Sequence, residues 1–134
     1  MLFRYTILYV DDVAGTLEFY EKAFAFERGF LHETGDYGEL VTGTTKLAFS
    51  STALMRQLGK NPKPPSASDP TFEIAFETKD VVAAVARAVD AGAKMIQDVR
   101  EEPWGQTTAY VSDPNGYLIE ICSPVQTERL RQDG

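Results

Sequence analysis

The sequence predicts an α+β fold made of two copies of one βαβββ unit, and three observations carry that prediction. The first is a repeat. Residues 5–24, YTILYVDDVAGTLEFYEKAF, and residues 73–92, EIAFETKDVVAAVARAVDAG, each read as a strand, an Asp-containing turn and an amphipathic helix. One offset brings Asp12 onto Asp80, Tyr5 onto Glu73 and Leu17 onto Val85. The second observation is the stretch 101–124, EEPWGQTTAYVSDPNGYLIEICSP, which reads as two strands joined by Asp113-Pro114-Asn115-Gly116. Proline presets a turn dihedral, and Asn-Gly tolerates positive φ between runs rich in Val, Tyr and Ile. The third is composition. A chain of 134 residues, 43% hydrophobic and 25% charged, is one ordinary globular domain able to bury roughly two-thirds of its unfolded surface.

Taken in order, the first helix places Val13, Leu17, Tyr20 and Phe24 on one stripe. Strands follow at about 26–33, 37–42 and 46–50. Residues 51–70 separate the halves: TALMRQLG suits a short helical turn, and NPKPPSASDP an extended, exposed linker rather than a lid. The second helix places Val81, Val85 and Val89 on its stripe, with Gly92 positioned to cap its end. Strands follow at about 94–100, 106–112 and 117–122. The domain therefore divides into modules at about 3–50 and 71–124, a linker at 51–70 and a polar tail at 125–134. The tail is expected to fray or form a short surface helix, and no function is assigned to it.

Acidic residues outnumber basic ones by 20 to 13, a net charge of −7. That argues against nucleic acid and anionic membrane surfaces, which need a basic patch, and favours a cationic or neutral ligand. A single cysteine, Cys122, allows no intramolecular disulfide. The opening MLFRYTILYVDD lacks the basic, apolar and small-residue regions of a signal peptide, and no run approaches a membrane span, so a cytoplasmic location is expected. There is no G-x-S-x-G, phosphate-binding loop, G-x-G-x-x-G or C-x-x-C.

Strand alternation decides which residues share a face. Tyr5, Ile7 and Tyr9 oppose Thr6, Leu8 and Val10. Glu73, Ala75 and Glu77 oppose Phe72, Ile74 and Phe76. In the last strand Leu118, Glu120 and Cys122 oppose Tyr117, Ile119 and Ile121. The faces carrying Leu8 and Ile74 are expected under the helices, which sends Tyr5, Tyr9, Glu73 and Glu77 to the other side. Glu120, a carboxylate in an apolar run, asks for a partner.

DPNGYLIEI closing a small α+β domain, with PWG a few residues upstream and two βαβββ units before it, resembles the glyoxalase/bleomycin-resistance/extradiol-dioxygenase superfamily. The resemblance spans about residues 3–124. It implies that the two modules form a curved mixed sheet around a cleft, with Tyr5, Tyr9, Glu73 and Glu77 on the concave, ligand-holding side. It also implies that Glu120 points into the cleft, where the superfamily's enzymes bind a metal. Their four ligand positions fall here on Tyr5, Phe49, Glu73 and Glu120, with Ala48 replacing Phe49 if the register slips by one.

These positions depart from the usual His, Gln and Glu. The only histidine, His32, lies near a turn of the second strand, so neither a His-His-Glu iron site nor a glyoxalase site with its imidazole is available. Tyr5, Glu73 and Glu120 would give an all-oxygen shell that leaves half the coordination of Mg²⁺ or Ca²⁺ to water or substrate and suits Zn²⁺ poorly. Two carboxylates on one cleft offer either a shared proton for acid/base work or an acidic floor for an ammonium or guanidinium group. For Glu73 alone the plainer reading is a solvated rim, bonded to Tyr5 or a backbone amide. Trp104, between Pro103 and Gly105, is a pocket candidate, whereas Phe3 and Tyr110 read as core packing.

Acidic composition, PWG and missing imidazoles together resemble the superfamily's metal-free, drug-sequestering members, which are commonly dimers. The expectation is therefore a homodimeric, metal-independent binder of a small cationic or aromatic molecule. It needs no cofactor, and its site is Tyr5, Tyr9, Phe49, Glu73, Trp104 and Glu120. The alternative is a divalent-metal lyase, isomerase or dioxygenase with Glu73 and Glu120 as ligands. A third reading is a dimerisation or regulatory module whose cleft is filled by Phe49 and Trp104.

Overall fold

A computed structural model describes residues 1–125, so the expectation for the polar tail lies, from residue 126 on, outside the described residues. The chain divides into two compact units, Met1–Pro65 and Ser66–Gly134. In the first, β1 (Tyr5–Val10) leads through Asp12 into α1 (Val13–Phe24), followed by β2 (Glu27–Leu31), β3 (Tyr37–Val41), β4 (Lys46–Ser51) and a short α2 (Thr52–Gln57). The Asp12 carboxylate accepts from the Gly15 amide at 3.0 Å, satisfying one of the donors that a helix start leaves open. The strand order is β1-β4-β3-β2, with β1 parallel to β4 and the other pairs antiparallel. Leu8 and Val10 are buried with Val13, Leu17, Tyr20, Leu40 and Phe49, as alternation requires of the strand face under α1. Gly38 lets β3 approach the helix closely: a Cβ there would stand 2.6 Å from Leu17 Cδ1 and 3.2 Å from the Phe30 carbonyl.

The second unit repeats this plan with β5 (Ile74–Glu77), α3 (Val81–Asp90), β6 (Lys94–Glu101), β7 (Thr107–Ser112) and β8 (Leu118–Cys122), ordered β5-β8-β7-β6. Asp80 caps α3 as Asp12 caps α1, accepting from the Ala83 amide at 3.1 Å. Gly92, at φ +116°, ends the helix, and the Ala93 amide returns to the Ala88 carbonyl at 2.9 Å. The buried stripe of α3 is Val81, Val85 and Ala88, not Val89, which is exposed. At 100° per residue the seventh position after Val81 returns to the stripe, and the eighth has turned well away from it.

The β7–β8 hairpin is fixed from inside its turn. Asp113 is buried, and its Oδ1 accepts from the amides of Asn115, Gly116 and Tyr117 at 3.0, 2.9 and 2.9 Å. Gly116 takes a φ of +106° that a side chain would resist. Ser112 therefore faces Leu118, Val111 faces Ile119 and Tyr110 faces Glu120. Hydrogen bonding assembles the eight strands into two four-stranded mixed sheets, one per unit. No helix among the described residues is long and apolar enough to cross a membrane.

Candidate functional site

The second unit gathers its polar side chains in one row across the sheet. Ala75 on β5 pairs with Glu120 on β8, Glu120 with Tyr110 on β7, and Tyr110 with Gln97 on β6. Directly opposed residues share a face. Ile119 and Ile121 are buried beneath α3, so this row belongs to the opposite face. Glu73, two residues before Ala75, has the same parity. The Tyr110 hydroxyl contacts Glu73 Oε2 at 3.0 Å and Glu120 Oε2 at 2.9 Å. A phenol carries one proton, so it donates to one carboxylate at a time and leaves the other with acceptor capacity to spare. Burial first, then the hydrogen bonds and charges of Glu120 and Glu73, push the Tyr110 phenol well above its ordinary range. Among the described residues, no lysine, arginine or histidine forms an ion pair with Glu73 or Glu120.

Cys122 lies beside this group, opposite Glu77 on β5 and Thr108 on β7. Its thiol is pushed up to about 11, chiefly by burial and next by the Glu120 charge. Trp104 sits in the turn between β6 and β7, where Gly105 has a φ of +91°. Its indole N–H donates to Gln106 Oε1 at 2.7 Å, and Gln106 Nε2 donates to the Ser123 carbonyl at 2.9 Å. The ring is anchored by its polar edge and leaves 59% of the residue exposed, the open aromatic surface that the Pro-Trp-Gly sequence suggested.

In the first unit, Tyr5, Ile7 and Tyr9 pair with Lys46, Ala48 and Ser50. Phe49 pairs with Leu8 on the helix side, is fully buried, and packs its ring 5.0 Å from that of Tyr20. The expectation that Phe49 lines the ligand face is therefore corrected. Ala48 takes that place, because Ile7 pairs with Ala48 as Ala75 pairs with Glu120. In the same frame, Glu39 pairs with Ala48 as Tyr110 pairs with Glu120. Glu39 accepts from the Tyr37 hydroxyl at 2.7 Å and has Lys46 Nζ at 3.5 Å. The first unit thus neutralises its carboxylate with its own lysine. Tyr9 lies under Lys60, whose Nζ is 5.7 Å from the ring centroid.

Two core readings are also corrected. Phe3 is exposed, and Tyr110 is the hub of the carboxylate pair. Glu73 is exposed, as its plainer reading expected, but its partner is Tyr110 rather than Tyr5 or an amide. His32 bonds Thr34 across a turn, Nδ1 to Oγ1, at 2.8 Å. Tyr110 was legible in principle, because counting outward from the Asn-Gly turn places it opposite Glu120. Among the described residues, no three His, Cys, Asp or Glu side chains group as a metal site requires. Glu73 and Glu120 converge on a phenol, a donor set of oxygens alone, without imidazole or thiolate.

Paired βαβββ modules, each a four-stranded mixed sheet with its capped helix on one face, define a glyoxalase-type fold. The glyoxalase-like domain family matches residues 3–126, and the chain belongs to that family. An uncharacterized protein of Mycobacterium bovis is 30% identical over 125 residues, covering 89% of this chain and 81% of its own length. A similar protein of Mycobacterium tuberculosis is 30% identical, with 89% of this chain and 72% of its own length covered. Among solved structures, a glyoxalase-related enzyme from Fulvimarina pelagi superposes with a TM-score of 0.80 at 20% identity, over 92% of this chain and 88% of that one. A glyoxalase/bleomycin resistance protein/dioxygenase family enzyme from Burkholderia phytofirmans gives 0.74 at 19% identity, over 92% and 98%. At such identities the two structures bear on the fold alone.

Proposed function

We propose that the chain is a metal-independent binder of a small cationic or aromatic molecule, held by Glu73 and Glu120 with Tyr110 between them. One observation carries this reading: a single phenolic proton serves two carboxylates that have no cationic partner among the described residues. An ammonium brings three donors and a positive charge, supplying both what the acceptors lack and the neutralisation that Lys46 gives Glu39. Trp104 is proposed to offer an aromatic face to the same ligand. Metal independence is supported by the donor set, two carboxylates and a phenol without imidazole. Assembly as a homodimer is part of the proposal, supported by the exposed apolar residues Tyr5, Ile7, Phe30 and Val41 on the first unit's sheet face. The proposed setting is the cytoplasm.

The test is a calorimetric titration of chelator-treated protein with benzylamine-type cations, with Glu120→Gln beside the wild type. Binding is expected to weaken about tenfold or more in the variant and to fall with added salt. Saturable stabilisation by Mn²⁺, Ni²⁺, Zn²⁺ or Mg²⁺ that vanishes in Glu120→Gln would overturn the proposal in favour of a metal enzyme. At a hundredfold excess over the dissociation constant, such stabilisation is about 2.7 kcal/mol.

A further inference from the structure

Gln97 ends the polar row on the edge strand β6, directly opposite Tyr110. Its Nε2 is the buried side-chain polar atom left without a hydrogen-bond partner among the described residues. A shielded donor with no acceptor forfeits the bonds it makes to water in the unfolded chain, so it is a standing cost of the ligand-free protein. The ladder is irregular on both sides of this residue, between Met95 and Gln97 and again between Gln97 and Arg100. Irregularities of this kind re-aim a side chain. Here two of them bracket the residue whose buried Nε2 is unmet among the described residues.

We propose that Gln97 is the acceptor-reading end of the site, donating from Nε2 to an oxygen of the ligand. The ligand class then narrows to organic cations that also carry a carbonyl, carboxylate or hydroxyl oxygen. Glu120 and Gln97 are two strands apart, so the cationic centre and that oxygen are separated by up to roughly 10 Å, two strand spacings. The broad torsional wells of the terminal amide let Nε2 turn toward such an oxygen without a rotamer penalty. Glu73, Tyr110 and Glu120 offer acceptors and one committed donor, so an oxygen on the ligand finds its free donor at Gln97. This inference rests on the reading of Glu73 and Glu120 as the cation-holding pair.

A matched pair of probes separates the two ideas. 4-(Aminomethyl)benzamide and 4-methylbenzylamine share the ring and the ammonium and differ in a carboxamide against a methyl. Wild type is expected to bind the carboxamide about fivefold to tenfold more tightly, the range of one neutral hydrogen bond. Gln97→Leu should erase that preference, chiefly by weakening the carboxamide compound. Gln97→Leu is also expected to raise the melting temperature of the free protein, because it removes an unpartnered buried donor; a fall would mark Gln97 as a structural residue and overturn the inference. Equal binding of both probes by wild type, or a preference that survives in Gln97→Leu, would overturn it while leaving the cation-holding pair intact. Failure of both probes to bind wild type would remove that pair and this inference together.

Discussion

Tyr110 and Glu120 face each other across the β7–β8 ladder and are joined at their ends, phenol to carboxylate, at 2.9 Å. The same phenol reaches Glu73 at 3.0 Å, so one side chain ties the strand that closes the module to the segment that opens it. Removing the hydroxyl leaves two carboxylates facing each other with no shared proton donor. Tyr110→Phe is therefore expected to destabilise the fold by about 1.5–2 kcal/mol, the lower part of the range for a hydrogen bond to a charged group, because water reaches Glu73. Urea unfolding measures this, and an unchanged midpoint would show that the two contacts contribute nothing.

The same contacts set an alkaline limit. The phenols of Tyr110 and Tyr37 are both pushed upward, chiefly by burial and then by hydrogen bonds to carboxylates. In the unfolded chain each loses its proton near pH 10, while in the folded protein it stays bound. Above about pH 10 the unfolded state therefore binds fewer protons than the native state, and stability falls as pH rises. Difference absorbance at 295 nm should show a late-titrating component that shrinks in Tyr110→Phe. If the whole phenolate signal has risen by about pH 10.5, the geometry around both residues is wrong.

Much of this site could be read from the chain, and what could not has a physical reason. Glu120 was legible because the Asn-Gly turn pins its register and alternation then fixes its face. Glu73 followed from the repeat that aligns Asp12 with Asp80. Phe49 was misplaced by one residue because the turn at 42–45 is shorter than its counterpart, and a one-residue slip moves a side chain to the other face. Tyr110 reads as core because an aromatic residue in a strand packs inward more often than not; only its pairing with Glu120 reveals the hydroxyl's work. Gln97 left no trace in the pattern, because irregular pairing on both sides of it breaks the alternation on which such counting depends.

Phe49 supplies a test of that corrected face. Fully buried against Tyr20, it should cost about 3–5 kcal/mol when changed to Ala, the usual range for emptying an aromatic site in a core. Ala48→Ser, on the other face and also buried, should cost about 1–2 kcal/mol, the range for shielding a hydroxyl. Chemical denaturation of both variants reads the difference, and similar losses for the two would return Phe49 to the ligand face.

Cys122 reports on Glu120 without any ligand. Its thiol is pushed up to about 11 by burial and then by the Glu120 charge and hydrogen bond, so it holds its proton through the range in which an ordinary cysteine loses one. Glu120→Gln removes the second cause and keeps the first. The pH midpoint of thiolate absorbance at 240 nm should therefore move down in the variant while staying above the ordinary cysteine value. A midpoint equal to wild type would mean that the Glu120 carboxylate does not act on the thiol.

The turn that sets the register is held by one side chain. Asp113 Oδ1 alone serves three successive amides from a buried position, so Asp113→Ala leaves three donors to find water or remain unmet. A loss of about 3 kcal/mol is expected, and more if water does not enter the turn. Asp113→Asn keeps one acceptor oxygen in place and should lose about 1 kcal/mol. The two variants separate the turn's acceptor from its charge: equal losses would assign the effect to the negative charge, whereas a large loss in Ala alone assigns it to the oxygen. Because Tyr110 meets Glu120 only in this register, Asp113→Ala should also shrink the late-titrating phenolate component of the native protein at 295 nm. Asp113→Asn should preserve it.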